Sequence, residues 1–557
     1  ARVPATVQAI LAARIDRLDG SHKRLLQAAA VVGMDVPYSV LRAIAETGDD
    51  ELRRGLAQLQ TAEFLYEARL FPELEYSFKH ALTHEVAYGS VLQDRRSALH
   101  AAIVEALERL YADRLAEQVE LLAHHALRGR VLEKAVHYLH QAGAKAAARS
   151  ANREAIEFFQ QALNMLDQLP QTPETLSEAL DIRIALGTPL ISLKGAPSEE
   201  VEISYMRGRE LVDQLKDESR RFPVMWGLWY VKFTRGEYAQ AIEAADQLLA
   251  SAQKGDDSGQ LLEAHHSFWP TLCAMGRSKA ALHHMERGLA LYDPERHASQ
   301  MYVYAGHDPG VCCRFHLAAA RWSGGFPDRA AIEMQEALKL ADRINHPLTT
   351  VATVWFEACL QYQRGEREAA SETAERLLAL ANAYRLNPWV DVALVLRQAG
   401  RREKLGTDSL DDVRRQLDAI MASATRKVFS LCTLAELYAE AGDATQGRAV
   451  LASIGEGSRR GLYAPEVLRI DGELILKSGA PDTREAEQRF LNAIEIARNR
   501  EEKSFELRAA MSLARLWRAQ GRRDEAHRLL ADIYGWFTEG FDTADLRVAK
   551  ALRDELA

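Results

Sequence analysis

Short turns containing glycine recur through the last three quarters of this 557-residue chain: Gly236 in TRGEYAQA, Gly276 in AMGRSKAA, Gly325 in SGGFPDRA, Gly365 in QRGEREAA, Gly442 in EAGDATQG and Gly521 in AQGRRDEA. The first four follow one another at 40, 49 and 40 residues, so the unit is about forty residues long. Five, nine and twelve places after the glycine the residues are small or apolar: Ala241, Ala245 and Leu248; Ala281, Met285 and Gly288; Ala330, Met334 and Ala337; Ala370, Ala374 and Leu377; Ala526, Leu530 and Ile533. Steps of four and three place each set on one face of a helix. The small residue lets that helix approach its predecessor, and the glycine supplies a positive φ where the predecessor ends. Each unit is therefore a helix, a turn and a second helix, and Glu333 is expected on an exposed face of one of them.

Ala155, Phe159 and Ala162 in ANREAIEFFQQAL carry the small-aromatic-small spacing of the second helix of a tetratricopeptide repeat, which the array resembles. The period here is longer than the 34 residues of that repeat. Two stretches depart from the pattern, QAGRREKLG around Gly400 and the extended turn GAPDTREAEQRF after Gly479, and repeat boundaries between 380 and 480 are not fixed by the sequence. A helix pair of this kind cannot bury its apolar face alone, so stacking into a superhelix with one concave binding surface is expected. The array offers no nucleophile with its base and no phosphate loop, and the chain itself is expected not to be an enzyme.

A composition of 47% hydrophobic and 27% charged residues suits a well-packed protein of several domains or repeats. Its five cysteines, Cys273, Cys312, Cys313, Cys359 and Cys432, are odd in number and lack CxxC spacing, which predicts reduced core thiols. No run is long and apolar enough for a membrane helix, and the start, ARVPATVQAI, has no signal pattern, so a cytoplasmic location without membrane contact is expected. The chain opens without methionine inside a helical pattern, and a further segment upstream is expected. Net charge is -9, and residues 1–110 hold 13 Lys and Arg against 15 Asp and Glu, which argues against a nucleic-acid partner.

Residues 1–110 have another grammar. VPATVQAILAARIDRL and SHKRLLQAAAVV read as helices, the second capped by Ser21, and PYSVLRAIAE and DDELRRGLAQLQTA as two shorter ones. EFLYEA and ELEYSF then alternate at period two around RLFP, as a strand, a wing and a strand. The expected fold is mainly α: a winged-helix domain over 1–112, a helical connector with the first repeat units over 113–200, and a tetratricopeptide-like superhelix over 201–557.

VPATVQAILAARIDRL, LLQAAAVVG, EFLYE, YSFKHALTHEVAY, HDPGVCC and the closing YGWFTEGFDTADLRVAKALRDEL together resemble the region that follows the ATPase domain in bacterial STAND proteins, signal-transduction ATPases with numerous domains. The subgroup with an N-terminal class III adenylate or guanylate cyclase is the most similar. The resemblance implies a regulatory arm: the winged helix holds an upstream ATPase domain in its ADP-bound state, and the array binds a protein or small-molecule effector on its concave face. ADP or ATP with Mg would belong to the parent protein, since neither GxxxxGK[ST] nor cyclase carboxylates occur here. A transcription regulator with a DNA-reading winged helix, supported only by Arg53 and Arg54, and a passive scaffold are the alternatives.

Candidate site residues are few. His80 and His84 stand four apart before Glu85, in neither zinc-protease order, and no metal-ligand set is assigned. His80 matches the wing histidine that, in the family, reaches the β-phosphate of ADP. A histidine at a helix N-terminus suits that role, because free backbone N–H groups surround it. The segment GHDPGVCCRFH gathers His307, Asp308, Cys312, Cys313 and His316 around two helix breakers, a possible ligand loop. Trp226, Trp229, Tyr230 and Phe233 are expected in the core, and the doublets His124-His125, His265-His266 and His283-His284 are read as incidental.

Overall fold

The structure is a computed structural model that describes residues 5–71, 73–400, 406–420, 423–479 and 481–557. The irregular unit after Gly400, Ala480 in the turn after Gly479, Pro72 in RLFP and the first residues of the opening helix pattern lie wholly or partly outside these. Two compact units result, Ala1–Ile182 and Arg183–Ala557. The division falls inside the stretch 113–200 read above as a connector.

In the first unit, helices Ala5–Asp16, Gly20–Val32, Tyr38–Ile44 and Asp49–Thr61 precede two strands, Leu65–Arg69 and Glu75–Phe78. A third strand, Asp35–Pro37, escaped the sequence reading because three residues are too few to show alternation. It pairs antiparallel with Glu75–Phe78, which is central, and Leu65–Arg69 pairs on the other side with a bulge between Glu67 and Arg69. Tyr76 and Phe78 are buried beneath the sheet with Val36. The second helix is capped by Asp19 rather than Ser21: one carboxylate oxygen accepts the N–H groups of both Ser21 and His22, which a serine inside the first turn cannot do. The helices continue with Ala81–Gly89, Gln93–Leu110, Val119–Arg128, Leu132–Ala148 and Asn152–Leu166. Between the last two, Phe159 packs against Gly143, where a Cβ would lie 2.6 Å from the ring.

The second unit is built from helix pairs. Glu218–Arg235 pairs with Tyr238–Ala252, Ser258–Ala274 with Ser278–Leu291, Pro309–Ser323 with Pro327–Ile344, Pro347–Gln363 with Arg367–Tyr384, and Lys503–Ala519 with Arg523–Tyr534. All six turn glycines have positive φ, and the residues five, nine and twelve places later are buried in every set named above. Second helices bury one stripe, whereas first helices are covered nearly all round; every residue from Leu262 to Ala274 is buried. Glu333 is not exposed as expected, because Arg314 and Arg321 close over it.

That burial has a source beyond neighbouring pairs. Tyr238 bonds Thr425 across 187 residues, Ser504 donates to the Trp322 carbonyl across 182, and the Glu539 carboxylate accepts the N–H of Asp328 across 211. The N–H of Leu462 reaches the Ala274 carbonyl at 2.9 Å. The array thus winds back on itself. Its concave face is not an open groove but an interior lined by first helices. Among the described residues, no helix is long and apolar enough to cross a membrane.

Candidate functional site

The inward faces of the second unit leave a cavity of about 120 Å³, roughly ten times what one water needs. Its walls are aromatic: Tyr230, Phe233, Phe315, Trp355, Phe356 and Trp389 are among them. Trp226 and Trp229, one helical turn or less away, are fully buried in the core, as the sequence suggests, while Tyr230 and Phe233 on the same helix turn to the cavity.

Among the described residues, one arginine lines this apolar space. The guanidinium of Arg426 stands 3.9 Å from the centre of the Trp389 ring; its Nη2 donates to the Pro388 carbonyl at 3.0 Å and its Nε to Ser423 at 3.3 Å. Nη1 is buried without a hydrogen-bond partner, and among the described residues no carboxylate forms an ion pair with it. A cationic fork with an unused donor in an aromatic cavity is suited to an anionic oxygen.

Opposite chemistry gathers on another part of the wall. Glu263 and His266 lie three apart on the Ser258–Ala274 helix and therefore share a face, with Glu263 Oε2 2.8 Å from His266 Nδ1. The far nitrogen of His266, Nε2, faces Cys312 Sγ at 3.2 Å. His307 completes the group: the donor atoms of His266, His307 and Cys312 all lie within 4.8 Å of one another. His316, one turn after Cys312, places Nδ1 3.5 Å from the same sulfur. Glu263 is wholly buried, His266 1% exposed, His307 6% and Cys312 2%. Burial pushes the three histidines down to about 3 and pushes the Glu263 carboxyl and the Cys312 thiol well above their ordinary ranges.

Asp308 and Cys313 take other roles. Asp308 caps Pro309–Ser323, accepting the Val311 N–H at 2.8 Å and the Tyr292 hydroxyl at 2.9 Å, while its own N–H donates to Thr349. Burial raises its carboxyl to about 6, against the lowering by those bonds. Cys313 donates to the Met285 carbonyl and does not join the cluster. All five cysteines are buried and free. His266 was passed over in the sequence as half of a doublet; the signal that marks it is Glu263 and His266 at helical spacing inside the apolar run LLEAHHSFWPTLC.

In the first unit His80 is exposed and stands as the residue before the Ala81–Gly89 helix, with extended backbone and no capping bond from its side chain. His84 is different: its Nε2 lies 2.9 Å from the Ala30 carbonyl and its ring meets Phe78 edge-on. Of the doublets read as incidental, His125 faces His100 with 2.8 Å between Nδ1 atoms, and His265 faces His284 at 3.0 Å.

No family model matches the chain. A relative from Rhizobium meliloti (strain 1021), itself an uncharacterized protein, is 26% identical over 526 residues, 92% of this chain; the chain spans about half the length of that relative, 50%. Among solved structures, the chain is similar to a Rap protein complexed with competence and sporulation factor, at TM-score 0.41 and 10% identity over 76% of this chain and 99% of the other. A STAND protein with a tetratricopeptide repeat sensor from Pyrococcus horikoshii matches over 100% of this chain and 68% of its own, at TM-score 0.29 and 12% identity. The Cut9–Hcn1 hetero-tetramer of APC/C gives TM-score 0.44 at 13% identity, over 83% and 94%.

Proposed function

We propose that this chain is the regulatory and sensing arm of a STAND-type signal-transduction ATPase, with a nucleotide cyclase upstream in the parent protein. Its first domain acts as a winged helix that holds the ADP-bound ATPase domain closed, and its tetratricopeptide-like array binds the effector that releases it. The order of helices, three-stranded antiparallel sheet and hairpin in residues 20–78 supports the first part. So does His80, exposed at a helix N-terminus where a phosphate oxygen would meet free N–H groups. The hairpin turn also carries Leu70 and Phe71, 75% and 85% exposed, apolar surface that a neighbouring domain would cover.

The observation that carries the sensing role is the cavity. It is aromatic, it holds Arg426 with an unused donor, and it is far too small for a folded partner or a helix. The effector is accordingly a small molecule with an apolar body and an anionic group. Such a ligand shifts the closed–open balance only through unequal affinity for the two states. A thermal-shift panel of small carboxylates and phosphate monoesters tests this directly. A hit raises the melting temperature of the chain, by an amount equivalent to about 2.7 kcal/mol at a hundred times its Kd, and Arg426→Met abolishes the shift. A panel without hits, or hits that persist in Arg426→Met, refutes the assignment.

A further inference from the structure

We infer that His266, His307 and Cys312 form a binding site for a zinc-class divalent ion, with Glu263 as the residue that orients His266. Three donors converge within 4.8 Å from two separate stretches of chain, with His266 Nε2 and Cys312 Sγ 3.2 Å apart, so that small side-chain shifts would bring all three onto one ion. One thiolate with two imidazoles is a set suited to borderline-soft ions, and unsuited to Mg or Ca. The Glu263 carboxylate on His266 Nδ1 is the arrangement that fixes the tautomer of a ligating histidine, leaving Nε2 directed at the sulfur.

Two poorly served groups sit beside these donors. Glu263 Oε1 is buried without a hydrogen-bond partner, and the buried indole N–H of Trp269, whose ring stacks on His266 at 4.7 Å, has only the Cys312 sulfur to face. A donor with only a thiol to face and a carboxylate oxygen without a partner are poorly served in the ion-free site. With the ion present the indole N–H faces a thiolate, a stronger acceptor than a thiol. Two negative charges, thiolate and carboxylate, then balance the ion's two positive ones, so that the buried site is neutral. As the ion binds, the Cys312 thiol and the Glu263 carboxyl give up their protons to solvent. All three ligands lie on the cavity wall, so a fourth coordination position opens toward the cavity. The site does not depend on which effector the cavity takes.

The test uses the chelator-stripped 557-residue chain titrated with Zn²⁺ against a chromophoric chelator, and separately with Co²⁺. One ion binds per chain, and Co²⁺ gives a sulfur-to-metal charge-transfer band. Cys312→Ser removes the band, and His307→Ala and Glu263→Gln weaken Zn²⁺ binding by about 10- to 100-fold. Cys273→Ser, in the same cavity wall but outside the cluster, and His283→Ala change neither. Absence of the band in the unaltered chain overturns the proposal and needs no variant to fold. Binding that survives Cys312→Ser, or that disappears in His283→Ala, overturns it as well.

Discussion

Single side chains carry two expectations. His100 and His125 face each other through Nδ1, so one nitrogen donates and the other accepts, and a doubly protonated pair has no place there. Burial depresses His100 to about 4 and His125 to about 3, below the ordinary 6.5. A depressed folded-state pKa means the unfolded chain takes up protons first on acidification. The stability held by the neutral pair is thus fully present above pH ~6.5 and is lost progressively toward pH ~3. The unfolding free energy measured across this window should fall less steeply in His125→Leu than in the parent chain; identical slopes refute the coupling. The second expectation concerns His80 in the full-length ATPase, where a charge-assisted phosphate contact is worth ~1.5 to 3 kcal/mol. His80→Ala should therefore weaken ADP retention at least tenfold and raise basal output. Glu85→Ala, at an exposed neighbouring position, should do neither. His84 makes a poor control, since its bond to Ala30 ties it to the fold. Unchanged ADP retention in a folded His80→Ala protein removes the assignment. Readability differs sharply among these residues. His80 could be placed at a helix start from local pattern alone. His266 could not be joined to Cys312, 46 residues away, because convergence of side chains is settled by how helices pack rather than by spacing.

Among the helices, spacing was nearly sufficient. Glycine turns with small residues at +5 mark the second helices because the same steric need, close approach after a left-handed residue, repeats in every unit. Ala330 is fully buried where Pro327–Ile344 meets its partner. Ala330→Phe overpacks that contact and should cost ~1 to 3 kcal/mol in urea unfolding. Gln335→Phe, on the exposed side of the same helix, should stay within ~0.5 kcal/mol. Equal losses at both positions would show that the helix is oriented otherwise. The Ser21 cap did not survive, the exposure expected of Glu333 gave way to Arg314 and Arg321, and one strand left no readable pattern, each for a reason of reach. A cap is chosen by which side chain can accept two N–H groups, which gave Asp19 the place assigned to Ser21. The strand Asp35–Pro37 is specified by its partner Glu75–Phe78 and leaves almost no trace in its own three residues.

For the second unit as a whole, the repeat pattern predicts stacking but not how tightly the stack winds. Winding depends on small rotations summed over pairs, and the bonds that reveal it join residues 182 to 211 apart. An open solenoid unfolds as a chain of neighbouring terms. Contacts across the coil should instead tie distant pairs into one transition. Tyr238→Phe, Ser504→Ala and Glu539→Ala combined should lower the urea m-value and separate the fluorescence and circular-dichroism curves. Coincident curves with an unaltered m-value would mean the cross-coil bonds add no coupling. The same bonds bear on ancestry. An open array can gain or lose a pair by duplication and disturb only the junction. Here Tyr238 has to find Thr425, Ala274 has to find Leu462, and Trp322 has to find Ser504. One extra unit between Trp322 and Thr425 would carry all three pairs about forty residues out of register. Homologous chains that keep this coil are therefore expected to diverge in their outer helix faces and to conserve the number of units.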